Sequence, residues 1–177
     1  MELTPTGRVI LGMIAFGRGT GYDIKQLVDR STRHFWAASY GQIYPELRRL
    51  EEQGLIRGRS EPSGARARTI YELTPDGEQA LHAWLASPSG LAYELRDEGM
   101  LKLFFSDAAP EQRLANIRAM RAQYERKHEQ LGTMQAKEMP LGPRLTLEMG
   151  LGITGWLIEW CDATEQRLAQ PVEEEPC

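Results

Sequence analysis

Cysteine is scarce in this chain: its 177 residues contain two, Cys161 and Cys177. That excludes a disulfide framework and fits a reducing compartment. Long apolar runs are missing too. No stretch of about 18 uncharged apolar residues occurs, so no membrane span is expected. The first residues, MELTPTGRV, lack a basic start followed by a continuous apolar segment. No secretory signal is read, and the cytoplasm is the expected location. Histidine is limited to His34, His82 and His128, with no metal-ligand spacing among them or with either cysteine. No nucleophile motif appears. Metal, cofactor and catalysis are therefore not expected, while 41% apolar residues suffice for a packed core.

The net charge of −4 argues at first against a polyanionic partner, but its distribution argues the other way. Residues 1–86 hold eleven Lys/Arg against ten Asp/Glu, a net of +1, and residues 87–177 hold ten against fifteen, a net of −5. Within 30–68, eight Arg face four Glu, a net of +4. Local charge governs attraction to phosphates.

Along the chain, Thr4 and Pro5 open a helix over 4–16 with Val9, Ile10, Met13, Ile14 and Phe16 apolar. Gly17-Arg-Gly-Thr-Gly21 breaks it. No strand precedes this run and no Lys-Ser/Thr pair follows, so it reads as a turn rather than a phosphate cradle. Thr20 and Asp23 form a capping box for a second helix over 21–33, with Ile24, Leu27 and Val28 inward. Residues 39–54, SYGQIYPELRRLEEQG, give a third helix: Ser39 with Gln42 as capping box, Ile43, Leu47 and Leu50 as apolar stripe, and Gly54 as stop. Residues 55–59 and 69–73 read as strands flanking a polar, basic loop, SEPSGARAR. Thr74-Pro75 opens a fourth helix lined by Ala80, Leu81, Trp84 and Leu85, and Ser87-Pro-Ser-Gly90 marks a boundary.

The remainder reads as helix: one near 91–105, one from Pro110 to about Glu138, and one over 144–169, with Pro140 and Pro143 bracketing a turn. The middle helix would measure about 45 Å. Its stripe, including Leu114, Ile117, Tyr124 and Leu131, needs a partner, which implies self-association. The last helix is nearly apolar from Leu145 to Cys161 and belongs in a helical interface, with Leu145, Met149, Ile153 and Leu157 as candidates. Residues 171–177, PVEEEPC, read as a disordered acidic tail.

The third helix carries the chemistry. Arg48 and Arg49 can pair bidentately with guanine edges or clamp phosphate, and the sequence leaves both open. Tyr40 and Gln42 occupy the first turn, where groove-bound helices meet bases. Ser39 can reach phosphate as well as cap. Tyr22 and Lys25 on the second helix are candidate backbone anchors, against packing and a solvated surface. Arg59, Arg66 and Arg68 can enter a minor groove or neutralise phosphates, against a plain solvated loop. Trp156 and Trp160 share a helix face and can line an aromatic pocket or simply fill an interface.

Three helices, a two-stranded hairpin and a fourth helix make a winged helix-turn-helix over 1–86. It is followed by an all-helical region over 91–170 and the tail over 171–177, a mainly α chain. In Gly21-Tyr-Asp-Ile24, in Gly41-Gln-Ile-Tyr-Pro-Glu-Leu-Arg-Arg-Leu-Glu-Glu-Gln-Gly-Leu-Ile56 and in Tyr71-Glu-Leu-Thr-Pro-Asp-Gly77, the sequence resembles the PadR-like family of transcriptional regulators. The segment Glu98-Gly-Met-Leu-Lys-Leu-Phe-Phe105 and the helix pattern after it resemble the helical, virulence-activator-type dimerisation region of such proteins. The resemblance implies a homodimeric repressor, less often an activator, of a pseudo-palindromic duplex DNA operator. It also implies release by a small, often aromatic, effector near the dimer interface. It makes Tyr44 a DNA-contacting tyrosine, against a core ring. It further accounts for Pro45 inside the third helix, with a bent or late-starting helix as the reconciliation. Two other readings are a thiol-responsive regulator using Cys161 or Cys177, and a winged module that binds protein rather than DNA.

Overall fold

The computed structural model describes residues 3–32, 35–36, 40–63, 66–88, 96–134 and 136–169, with the backbone alone at Tyr40, Ser63, Arg66, Ala67 and Lys137. Residues 1–91 and 92–177 form two compact units.

The first unit contains α1 (Pro5–Ala15), α2 (Gly21–Arg30), α3 (Tyr40–Glu52), β1 (Ile56–Ser63), β2 (Arg66–Leu73) and α4 (Pro75–Leu85). Its starts and stops are set by side chains close in sequence. Thr4 Oγ1 accepts from Gly7 N at 3.0 Å, Thr20 Oγ1 from Asp23 N at 3.0 Å, and Thr74 Oγ1 from Gly77 N at 3.1 Å. At Thr20 the reciprocal bond differs from the usual box: Asp23 Oδ2 accepts from the Thr20 hydroxyl at 2.7 Å. Gly17 and Gly54 stop α1 and α3 at φ of 77° and 72°. After α3, Gly54 N donates to Glu51 O and Leu55 N to Leu50 O, a Schellman pair that turns the chain into β1. Ile10, Leu11, Ile24, Val28, Ile43, Leu47, Leu50 and Ile56 are fully buried between these elements.

Several boundaries depart from expectation. The helix α2 ends at Arg30. The strands run through most of the polar loop, paired antiparallel from Ile56 with Leu73 to Ser63 with Arg66, because ladder hydrogen bonds need no apolar side chain. The helix α3 starts at Tyr40 and continues through Pro45, so a late start is excluded. The carbonyl deprived of a donor, that of Gly41, lies on an exposed residue where water can serve it. On α4, Leu81 is buried, but Trp84 and Leu85 face solvent, with the Arg8 guanidinium 5.7 Å from the Trp84 ring centre. Ser39 and the tail over 171–177 lie outside the described residues.

The second unit contains α5 (Glu98–Phe104), α6 (Arg113–Gly132) and α7 (Leu141–Ala169). Asp97 caps α5, accepting from Met100 N at 3.0 Å. The helix α6 is shorter than expected, about 30 Å long, with single 3-10 turns at Pro110–Gln112 and Ala136–Glu138 in place of its expected ends. Pro143 lies in the first turn of α7 rather than in a turn before it; proline is tolerated there because the first amides have no helical acceptor. Partners run antiparallel between α6 and α7: Arg118 with Glu165, Arg121 with Asp162, and His128 with Thr154. Ile117, Met120, Tyr124 and Cys161 form the core, with Leu103, Leu157, Ile158 and Trp160 packed on it.

Candidate nucleic-acid interface

The apolar stripe of α3 turns Ile43, Leu47 and Leu50 inward, which leaves the opposite face to solvent. Gly41, Gln42, Tyr44, Pro45 and Arg48 are exposed there. Gly41, Pro45 and Arg48, at i, i+4 and i+7, form one outward row. Two of the three lack a long side chain, so the backbone of the first turns stands open to close approach.

The turn between α1 and α2 locks this helix in place. A Cβ at Gly21 would meet the Tyr44 ring at 2.7 Å, so the tyrosine lies directly against the start of α2 with 46% of its surface exposed. Tyr44 is thus partly packed and partly presented. Gly19 O accepts from Tyr71 N at 2.7 Å, tying the same turn to β2. The wing is fixed to the end of α3 by Glu51, whose Oε1 accepts from Gly58 N at 2.8 Å. Burial, the Glu51 carboxylate and, less, Tyr44 raise the Tyr71 phenol pKa, while the Arg48 guanidinium opposes them. These charges and rings therefore share one corner where α3 meets the wing.

The two arginines of α3 differ. Arg48 is exposed, whereas Arg49 is half-buried and its Nη1 sits 3.2 Å from Glu46 Oε1. That same oxygen accepts from the Thr4 hydroxyl. On α2, Tyr22 is exposed and its hydroxyl accepts from Gln26 Nε2. Lys25 departs from the expected phosphate anchor: it is buried and ion-paired to Asp29, one turn further on, which draws the ammonium along the helix. On the wing, Arg59 is exposed, while Arg68 binds Glu61 Oε2 through Nε at 2.9 Å and Nη2 at 2.5 Å. Arg66 follows Ser63 across the ladder. The same sheet face carries Arg57, opposite Glu72, which sequence reading passed over; its alternation with Arg59 was the available signal. The contacts of Glu46, Glu51 and Gly21 are not legible in the sequence, because they rest on partners distant in the chain.

The expected interface residues of the second unit divide into two groups. Ile117, Tyr124 and Leu131 are buried by the chain's own helices, and Leu114 and Leu157 are half-buried. The stripe of α6 is thus covered by α7, and its need for a partner is met within the chain. The other face of α7 exposes Leu141, Leu145, Met149, Ile153 and Trp156. Trp156 is 60% exposed, but Trp160 packs on the core around Cys161, so the two tryptophans do not line one open surface. Tyr124 donates to Asp97 Oδ2 at 2.9 Å, and burial followed by that bond raises its pKa. Cys161 is fully buried and desolvation raises its thiol pKa, the opposite of an activated thiolate. Among the described residues no cluster can hold a metal ion, and no helix is long and apolar enough to cross a membrane.

Comparison with known proteins gives two family matches: the transcriptional regulator PadR-like family over residues 10–83 and the virulence activator alpha C-terminal family over 95–169. The negative transcriptional regulator PadR of Bacillus subtilis is 35% identical over 109 residues, which are 61% of this chain and 60% of that protein. The chain thus spans about 60% of the length of that curated relative. The crystal structure of Bacillus subtilis PadR in complex with operator DNA superposes with a TM-score of 0.83 at 27% identity, covering 91% of this chain and 97% of that one. The complex of the same protein with p-coumaric acid gives 0.77 at 25% identity, covering 94% and 100%.

Proposed function

We propose that this chain is a PadR-like transcriptional regulator, a homodimeric repressor that reads a pseudo-palindromic duplex operator. The observation that carries this reading is the outward face of α3. It is a helix surface with an open backbone row, an exposed arginine and a half-exposed tyrosine, flanked by the arginines of the wing. A helix of this profile fits the major groove, and the wing face carrying Arg57 and Arg59 suits adjacent phosphates. The relative bound to operator DNA supports the same assignment.

Two copies are held together through the exposed face of α7, where Leu145, Met149, Ile153 and Trp156 lie in water in the single chain. A small aromatic effector binds beside Trp156 and releases the DNA; the relative bound to p-coumaric acid supports a phenolic acid as the class. Quenching of tryptophan fluorescence by a panel of phenolic acids, lost in Trp156→Phe, checks that part.

The primary test is retention of fragments from the organism's own DNA on the full-length protein, followed by gel shift on the recovered sequence. Arg48→Ala is expected to weaken binding at least tenfold while sedimentation still gives a dimer. Unchanged affinity in that variant would remove α3 from the interface.

A further inference from the structure

We propose that Glu46 divides the work of the two neighbouring arginines, making Arg48 the base-reading residue and Arg49 a structural one. This rests on the reading of α3 as the groove helix. Glu46 points away from the outward row of Gly41, Pro45 and Arg48, toward the start of α1. Its side chain is 12% exposed. Its Oε1 accepts from Thr4 Oγ1, lies 3.2 Å from Arg49 Nη1, and stands so close to Gly7 that an added Cβ there would come within 2.8 Å.

Thr4, Pro5 and Gly7 form the N-terminal turn of α1, which has no acidic residue of its own. The Glu46 carboxylate therefore supplies, from α3, the negative charge that a helix N-terminus favours. A carboxylate this buried needs a cation beside it, and Arg49 is that cation. Swinging Arg49 into a DNA groove would strip Glu46 of its partner and loosen α3 from α1. Arg48, one residue earlier and about 100° around the helix, carries no such obligation to Glu46 and emerges beside the open backbone row. Its planar fork matches the O6 and N7 acceptors of guanine.

The test is selection from a randomised duplex library by the full-length wild type and by Arg48→Ala, Arg49→Lys, Arg49→Ala and Glu46→Gln/Arg49→Ala proteins, with thermal melting of each. The wild type is expected to enrich a motif with a guanine in each half-site. Arg48→Ala loses preference at that position, weakening binding to the motif by roughly 5- to 150-fold, with little change in melting. Arg49→Lys keeps a charge for Glu46 but not the fork, and enriches the same motif. Arg49→Ala lowers the melting midpoint by roughly 5–10 °C, and adding Glu46→Gln restores part of that loss, because the uncompensated carboxylate is gone. A changed motif in Arg49→Lys, or an unchanged one in Arg48→Ala, overturns the assignment. Absence of any motif with the wild type removes the DNA-reading proposal itself, and Arg48's role with it. The melting comparison stands apart from DNA: no recovery in the double variant overturns the role of Glu46.

Discussion

Among the described residues, those of 1–91 enclose their aliphatic side chains save one, whereas those of 92–177 leave a row of theirs in water. Among the described residues of the first unit, Leu85 is the one exposed large aliphatic, and Ile10, Leu11, Ile24, Val28, Ile43, Leu47, Leu50 and Ile56 are sealed. In the second, Met100, Leu101, Leu141, Leu145, Met149 and Ile153 are exposed around a core of four buried residues. The difference follows from geometry. Three crossing helices and a wing surround a common centre, while two antiparallel helices bury one stripe each and leave any second stripe bare. A closed unit is suited to present polar chemistry on a fixed surface, and an open one to find a partner.

The largest expected break in that comparison is Gly77→Ala. A Cβ there would sit 1.9 Å from the Leu55 carbonyl oxygen, with no side chain able to yield. A loss on the order of 4 kcal/mol is expected in the first unit, seen as an early melting step that leaves the helical signal of α6 and α7 intact. A single unshifted transition would show that the backbone there adapts.

Next is Met149→Lys with Ile153→Lys on the open face of α7. Both residues are already exposed, so helicity should hold while dimer affinity falls by about 2 kcal/mol or more, roughly 30-fold. Sedimentation across a concentration series reads it. An unchanged dimer would place the interface elsewhere.

Tyr124→Phe is smaller. It removes the donor to Asp97 that fastens the cap of α5 to α6, at a cost of about 1 kcal/mol. It also carries a pH signature. The folded-state pKa of Tyr124 is raised, mainly by burial, so its stabilising contribution is fully present below the unfolded value of about 10 and is lost as pH rises above it. Denaturant titrations between about pH 9 and 11 should show a shallower loss of stability in the variant, and parallel curves would exclude the effect.

Smallest is Arg68→Ala. Its pair with Glu61 is solvent-exposed and worth on the order of 0.5 kcal/mol. Melting should barely move. If Arg68 leaves Glu61 to meet phosphate, the slope of log affinity against log salt falls by about one; an unchanged slope assigns it to the wing alone.

Much of the first unit was legible in the sequence because its signals are local. Thr4, Thr20 and Thr74 cap the helices that follow them, Gly54 stops α3, and the spacing of Ile43, Leu47 and Leu50 fixes which face is inward. Each depends on residues within a turn or two. The exposed Tyr22, Gln42, Tyr44, Arg48 and Arg59 follow from the same periodicity. The readings that changed involve partners on other elements, or competition between two local ones. Lys25 goes to Asp29 and Arg68 to Glu61 instead of standing free, Ile117, Tyr124 and Leu131 are covered by the chain's own helices, and Trp160 turns toward Cys161.

The sequence by itself determined the threonine-capped starts of α1, α2 and α4, the Gly54 stop of α3, which stripe of α3 is apolar, and that the positive charge gathers around α3 and the wing. The tertiary structure decided which of two apolar helix faces is covered and which of two adjacent arginines is free. Helical spacing ranks faces but does not name the neighbour that packs on them. The bond from Thr4 to Glu46 joins residues 42 apart in the chain, and no local pattern encodes a contact that exists only once the helices have met.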